Sequence, residues 1–195
     1  TLTAALSLSC PPHSIPMRSI TIFCGSRDGN DPRYVAQARE LGLLLAGSGV
    51  RIVFGGGRKG LMGALADGVL AGGGLVTGII PRLLLEWEAQ HTGVTELIIT
   101  ESMHERKALL YRMCDAAIVL PGGYGTLDEM FELLTWNQLN LHDKKAYVLN
   151  TAGFYDHLHA HMHHLHAQGF LYEPVGDRVR LFDEPSSLVE ALVKN

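Results

Sequence analysis

Cysteine is scarce: 195 residues hold three, Cys10, Cys24 and Cys114. Their odd number and the lack of any CxxC spacing exclude a disulfide framework and give no zinc site, so a reducing, cytoplasmic setting suits the chain. Long apolar runs are missing as well; none approaches the ~20 residues that a membrane-spanning helix needs. Nor is there a basic run long enough to track phosphates along a polynucleotide, and the formal net charge is −4. Neither nucleic acid nor a membrane is therefore an expected partner. The stretch Thr1 to Pro16 lacks a positively charged start and contains Pro11-Pro12, which does not fit a signal peptide. Residues 1–16 are read as a disordered leader or an added upstream segment, with Met17 as the natural start and one domain over 17–195. At 47% hydrophobic, a domain of this length can bury about 70% of its unfolded surface without staples.

What is present is a regular alternation of strand and helix. Ser19 to Cys24 is a β-rich run closed by Gly25-Ser26, and Asp31 to Ser48 has helical periodicity with an Asp-Pro start. Val50 to Phe54 leads into Gly55-Gly56-Gly57, followed by a helix from about Leu61 to Ala71. Strands are expected at Leu75 to Ile80, Glu96 to Thr100, Ala116 to Leu120 and Ala146 to Leu149, with a short last one at Val179 to Phe182. Helices are expected over Met103 to Cys114, from the glycines after Pro121 to about Leu139, over Tyr155 to Gln168 and over Ser186 to Val193. Such alternation predicts a Rossmann-like, doubly wound parallel sheet with helices on both faces, in a single α/β domain. Three strands end in glycine, at Gly25, Gly55 and Gly122. Because the carboxyl ends of parallel strands line one edge, where ligands bind, these turns point to a nucleotide-like ligand.

The densest stretch is Pro121-Gly122-Gly123-Tyr124-Gly125-Thr126-Leu127-Asp128-Glu129. Glycine lets backbone amides approach a ligand, and the unpaired amides of a helix start favour an anion such as phosphate. Glu129, placed in the first turn, would be kept ionised by the helix dipole. Thr126-Leu127-Asp128-Glu129 is equally a capping box, in which Thr and Glu only satisfy orphan amides. Spacing alone leaves cap and catalytic carboxylate open.

Familiar cofactor chemistries fit poorly. Gly55 to Gly60 matches GxGxxG, but the next strand ends Gly78-Ile79-Ile80-Pro81 without the acid that would bind a ribose of NAD. A Walker lysine followed by Ser or Thr is missing, so ATP hydrolysis lacks its magnesium ligand. Pyridoxal phosphate needs a Schiff-base lysine and an acid for the ring nitrogen; Lys107 could be nominated, with nothing to support it. No cofactor is expected.

The stretch Pro121 to Glu129 resembles the PGGxGTxxE signature of the Lonely Guy (LOG) family, the cytokinin riboside 5'-monophosphate phosphoribohydrolases. The companion motif is present as Met103-His104-Glu105-Arg106-Lys107. The likeness runs from Ile20 to Gly169 and includes Gly60-Leu61-Met62-Gly63 and Thr135-Trp136-Asn137-Gln138-Leu139. It implies hydrolytic removal of the base from an N6-prenylated adenosine 5'-monophosphate, and from AMP itself, leaving ribose 5-phosphate. It implies Arg106 and Glu129 as the catalytic pair, with Glu129 stabilising positive charge on the ribose or activating water. Substrate contacts are implied for Ser26, Glu88, Lys107, Gly122, Gly123, Tyr124, Gly125, Thr126, Leu127, Asp128 and Thr135, with Glu86 close enough to blur the register at Glu88. Met103 is read as packing rather than base contact. Asp128 stands where Glu is commoner, Arg27 where a small residue is, and Lys145 where proline is frequent, which bears on loop shape and base preference. The alternatives are a nucleotide-binding module without catalysis, or a related glycosyl transferase.

Apolar residues around Phe131, Leu134 and Trp136 exceed what one thin sandwich needs, and the resemblance implies a homodimer whose partner helps close the active site. His157, His159, His161, His163, His164 and His166 crowd one helix. Without a Cys or acidic partner at matching spacing they are read as solvated side chains open to adventitious nickel or zinc, and no metal is expected.

Overall fold

In the computed structural model, residues 19–85 and 89–194 are described. The leader expected over 1–16, Met17, Glu86 and Glu88 lie outside them. Seven strands form one sheet: β1 (Ser19–Phe23), β2 (Arg51–Phe54), β3 (Val76–Pro81), β4 (Glu96–Thr100), β5 (Ala116–Val119), β6 (Ala146–Leu149) and β7 (Val179–Phe182). All pairings are parallel, in the order β4-β3-β2-β1-β5-β6-β7. The order reverses between β1 and β5, where Ile20 faces Ala116 and Phe23 faces Val119. A crevice opens at the carboxyl ends there because successive connections leave in opposite directions.

Helices α1 (Pro32–Gly47), α2 (Gly60–Ala71), α3 (Met103–Arg112), α4 (Tyr124–Gln138), α5 (Asp156–Ala167), α6 (Val175–Arg178) and α7 (Pro185–Val193) cover both faces. Strand β5 shows how: Ala116 and Ile118 join a core with Leu41 and Leu45 of α1, Leu65 of α2 and Leu188 of α7. Ala117 and Val119, pointing the other way, join Leu110 of α3, Met130 and Leu133 of α4 and Met162 of α5. Burial on both faces is why the central strands read as continuous apolar runs instead of alternating. The turn Val175–Arg178 and the short 3-10 turns at Arg82–Leu84 and Thr151–Gly153 carry no periodic signal and were not expected.

Asp31 caps α1, accepting from the amide of Arg33 at 2.9 Å, with Pro32 at the first helical position. Helix α4 departs from expectation. It is capped by Gly123 and starts at Tyr124, with no acidic residue in its first turn. Thr126 is therefore already helical and Glu129 sits in the second turn, so the two form no capping box and the dipole argument for Glu129 loses its basis. A glycine at this position permits the earlier start, since it enters the turn without steric cost. The real capping residue nearby is Ser102, whose hydroxyl accepts from the amide of Glu105 while Glu105 accepts from the amide of Glu101.

Candidate active site

The switch point carries a cavity of about 450 Å³. The turns after β1 and β5 are tied together at its floor: the Leu120 amide donates to Phe23 O at 2.9 Å and the Gly25 amide to Pro121 O at 3.0 Å. Gly122 packs so closely that a Cβ there would stand 2.1 Å from Thr126 Oγ1 and 2.9 Å from the Gly25 amide nitrogen. Side chains are thus excluded where the two turns touch. At Gly123 and Gly125 a Cβ would meet nothing within 4 Å. These two glycines border open space beside the first amides of α4, which no side chain caps. Donors aimed into an open concavity at a positive helix end make an anion site.

Arg106 projects from α3 to line the same cavity. It is only 6% exposed. Its Nε donates to Ile79 O and its Nη2 to Gly55 O, both at 3.2 Å, so the guanidinium rests on backbone carbonyls of β3 and of the turn after β2. The absence of a side chain at Gly55 makes this possible, because a Cβ there would lie 2.3 Å from Nη2. A surface ion pair, the ordinary fate of a helical arginine, is not what Arg106 forms. Glu129 is half-buried and lines the cavity from α4. A fixed cation and a carboxylate from two helices therefore face one space with the helix-start amides. That arrangement can hold a phosphate and place a negative charge near a bond that builds positive charge as it breaks.

Of the residues nominated from sequence, Ser26, Arg106, Gly122, Gly123, Tyr124, Gly125, Thr126 and Glu129 line this cavity. Tyr124 is almost fully exposed and Thr126 is buried. Leu127 packs at the edge of the core beneath α4. Lys107 and Asp128 are drawn together outside the lining: Lys107 Nζ meets Asp128 at 3.1 Å and Glu132 at 2.8 Å. The hydrogen bond that Lys107 donates to Glu132 raises the Lys107 pKa, burial opposes it and Asp128 adds to the rise. Thr135 lies farther along α4, where its hydroxyl donates back to Phe131 O at 2.7 Å, and it borders a separate apolar groove. Met103 is exposed at the start of α3 instead of packed.

Helices α3 and α4 are bolted together beneath the site. Tyr111 of α3 donates to Glu132 at 2.8 Å and lies 3.1 Å from the backbone oxygen of Glu129. Burial, reinforced by Glu132, pushes the Tyr111 pKa up, so it remains a donor. This network keeps the helix that carries Arg106 in register with the one that carries Glu129.

Sequence reasoning missed Tyr34 and Phe154, which face the cavity as an edge-to-face pair with centroids 5.7 Å apart. They lie 120 positions apart on α1 and on the turn after β6, and nothing in their local pattern sets them apart from packing aromatics. Met62 of α2 was readable only as part of the Gly60 to Gly63 motif. Gly60, which opens that motif, is held at φ +63° against the backbone of Ser26 and Arg27.

A family model described as "possible lysine decarboxylase" matches residues 62–192. The lysine chemistry of that description finds no support in the site: among the described residues that line the cavity there is no lysine. Lys107, with its raised pKa, is held as the ammonium instead of the neutral amine that a Schiff base requires. The cytokinin riboside 5'-monophosphate phosphoribohydrolase of Rhodococcoides fascians is 40% identical over 176 residues, which cover 90% of this chain and 89% of that one. A probable cytokinin riboside 5'-monophosphate phosphoribohydrolase of Oryza sativa subsp. japonica is 46% identical over 152 residues, 78% of this chain and 68% of that one. Among solved structures, the molybdenum cofactor binding protein of Rippkaea orientalis superposes with a TM-score of 0.69 over 92% of this chain and 97% of its own. At 23% identity that likeness concerns the fold alone.

Proposed function

Because the chain belongs to the Lonely Guy (LOG) family of cytokinin riboside 5'-monophosphate phosphoribohydrolases, we propose that it uses water to cleave the N-glycosidic bond of N6-prenylated adenosine 5'-monophosphate. The products are the free cytokinin base and ribose 5-phosphate. The observation that carries this reading is the convergence of Arg106, Glu129 and the uncapped start of α4 on one cavity at the switch point.

The 5'-phosphate sits against the amides of Gly123, Tyr124 and Gly125, with the open faces of the two glycines leaving room for its oxygens. Departure of the base builds positive charge on the ribose ring. The Glu129 carboxylate stabilises that charge or takes a proton from the attacking water, work worth about 10²- to 10⁴-fold in rate. Arg106, held by two carbonyls, offers a donor that need not reorganise during the reaction. AMP is proposed as a second substrate, since it carries the same 5'-phosphate and ribose that these residues would hold.

A homodimer is proposed as well. Phe131, Leu134 and Thr135 of α4 border an apolar groove of about 170 Å³ with Met162 and Leu165 of α5, and a second copy would cover it. A cytoplasmic location is proposed from the scarcity of cysteine and the lack of any CxxC spacing. Among the described residues no helix is long and apolar enough to cross a membrane.

The test is incubation of the purified protein with AMP and with N6-isopentenyl-AMP, followed by chromatography of base and sugar phosphate. Free base with ribose 5-phosphate in equal amounts is the expected result. Binding without release would leave a nucleotide-binding module, and a ribosyl phosphate found attached to an acceptor would indicate a transferase.

A further inference from the structure

The helix α5 carries six histidines, and the proposed reaction uses none of them; none lines the cavity at the switch point. On a helix, residues four apart share a face one turn above the other. Two such pairs exist in sequence, His157 with His161 and His159 with His163. The structure distinguishes the second: its Nε2 atoms lie 3.2 Å apart, with ring centroids at 4.5 Å and planes nearly perpendicular. The related contact between His161 and His164 is looser, at 6.3 Å between centroids.

The separation of 3.2 Å has a chemical meaning. Imidazole nitrogens bind first-row divalent metals at about 2.0–2.1 Å, so two of them on one ion stand about 2.9 Å apart at a right angle and about 3.3 Å at a tetrahedral angle. The observed spacing, which in the metal-free chain is that of a hydrogen bond between the two rings, falls between these limits, so an ion that replaces the shared proton requires the rings to turn while the nitrogens keep their separation. We propose that His159 and His163 form a two-histidine chelate for a first-row divalent transition metal, preferring Cu²⁺ over Ni²⁺ and Zn²⁺.

The surroundings suit the role. His159 is half-buried beside Met130, Tyr155 and Met162, which fixes its ring, and His163 is exposed, which leaves an entry path. Among the described residues no third His, Cys, Asp or Glu side chain joins the pair, so water completes the coordination sphere. The N···N contact therefore shifts the sequence-level reading, in which no acidic or Cys partner meant no site, because two ordered imidazoles suffice for a chelate of moderate affinity.

The experiment is isothermal titration of the full, chelator-stripped chain with NiCl₂, in wild type, His163→Ala and His161→Ala. Removing the exposed His163 leaves the core untouched, and a melting curve of each metal-free variant checks the fold. Wild type and His161→Ala should bind one Ni²⁺ with equal affinity, and His163→Ala should bind at least tenfold more weakly. Equal affinity in wild type and His163→Ala, loss in His161→Ala instead, or no saturable binding by wild type would each overturn the assignment.

Discussion

Replacing Gly55 by alanine perturbs one atom and tests how Arg106 is held. Gly55 has no left-handed backbone requirement, so the substitution acts through space alone. The new Cβ would lie 2.3 Å from Nη2 of Arg106 and 3.1 Å from Sδ of Met62. Methionine can yield, but the guanidinium is held at 3.2 Å from both Gly55 O and Ile79 O and must leave at least one of them. A hydrogen bond from a charged group contributes about 1.5–3 kcal/mol when buried. If that energy is what positions Arg106 in the transition state, kcat/KM for AMP falls by roughly 10- to 150-fold, at about 1.4 kcal/mol per tenfold. Steady-state hydrolysis of AMP, with circular dichroism to confirm the fold, reads the effect directly. A folded Gly55→Ala variant with wild-type kcat/KM would refute the claim that these two carbonyls place the guanidinium.

Gly123→Ala makes the complementary case: a Cβ meets nothing within 4 Å in the free protein, so the melting temperature should stay within about 1 °C while KM for AMP rises as the methyl enters the phosphate space. Glu132→Gln removes the partner shared by Tyr111 and Lys107, a loss of about 1.5–3 kcal/mol, or roughly 3–12 °C in a thermal melt at about 2–4 °C per kcal/mol. The pH dependence of stability follows from the raised Lys107 pKa. A group whose folded pKa exceeds its unfolded value stabilises fully below the unfolded value, about 10.4 for lysine, and loses that contribution as pH rises through the folded value. Denaturation midpoints of wild type and Lys107→Met should therefore differ at pH 8 and converge as pH rises through the raised folded value of Lys107.

How far the sequence carried depends on the range over which each feature is encoded. Strands β4, β6 and β7 have the bounds that their β-rich runs predict: β6 is buried on both faces and leaves an unbroken apolar signal, whereas the edge strands β4 and β7, only partly buried, are read from their β-branched and aromatic residues. The three glycine turns were readable because glycine is needed for local reasons. The start of α4 was misread because Thr126 and Glu129 satisfy the pattern of a capping box, whereas the cap is Gly123, a residue with no side-chain signal. The partners of Lys107 come from α4, 21 and 25 positions away, and only the packing of α3 against α4 sets Asp128 and Glu132 beside it. The meeting of Tyr34 with Phe154 depends on the packing of α1 against the turn after β6 and leaves no trace in either neighbourhood.

The central claim is that the Glu129 carboxylate performs the chemistry at this cavity. It is tested most directly by comparing Glu129→Gln with wild type, measuring single-turnover hydrolysis of AMP and, separately, nucleotide affinity. Glutamine keeps the size and loses the charge, so the account predicts a fall of about 10²- to 10⁴-fold in the hydrolytic rate with affinity changed only severalfold. A hydrolytic rate within tenfold of wild type would contradict it and move the chemistry to another group in the cavity.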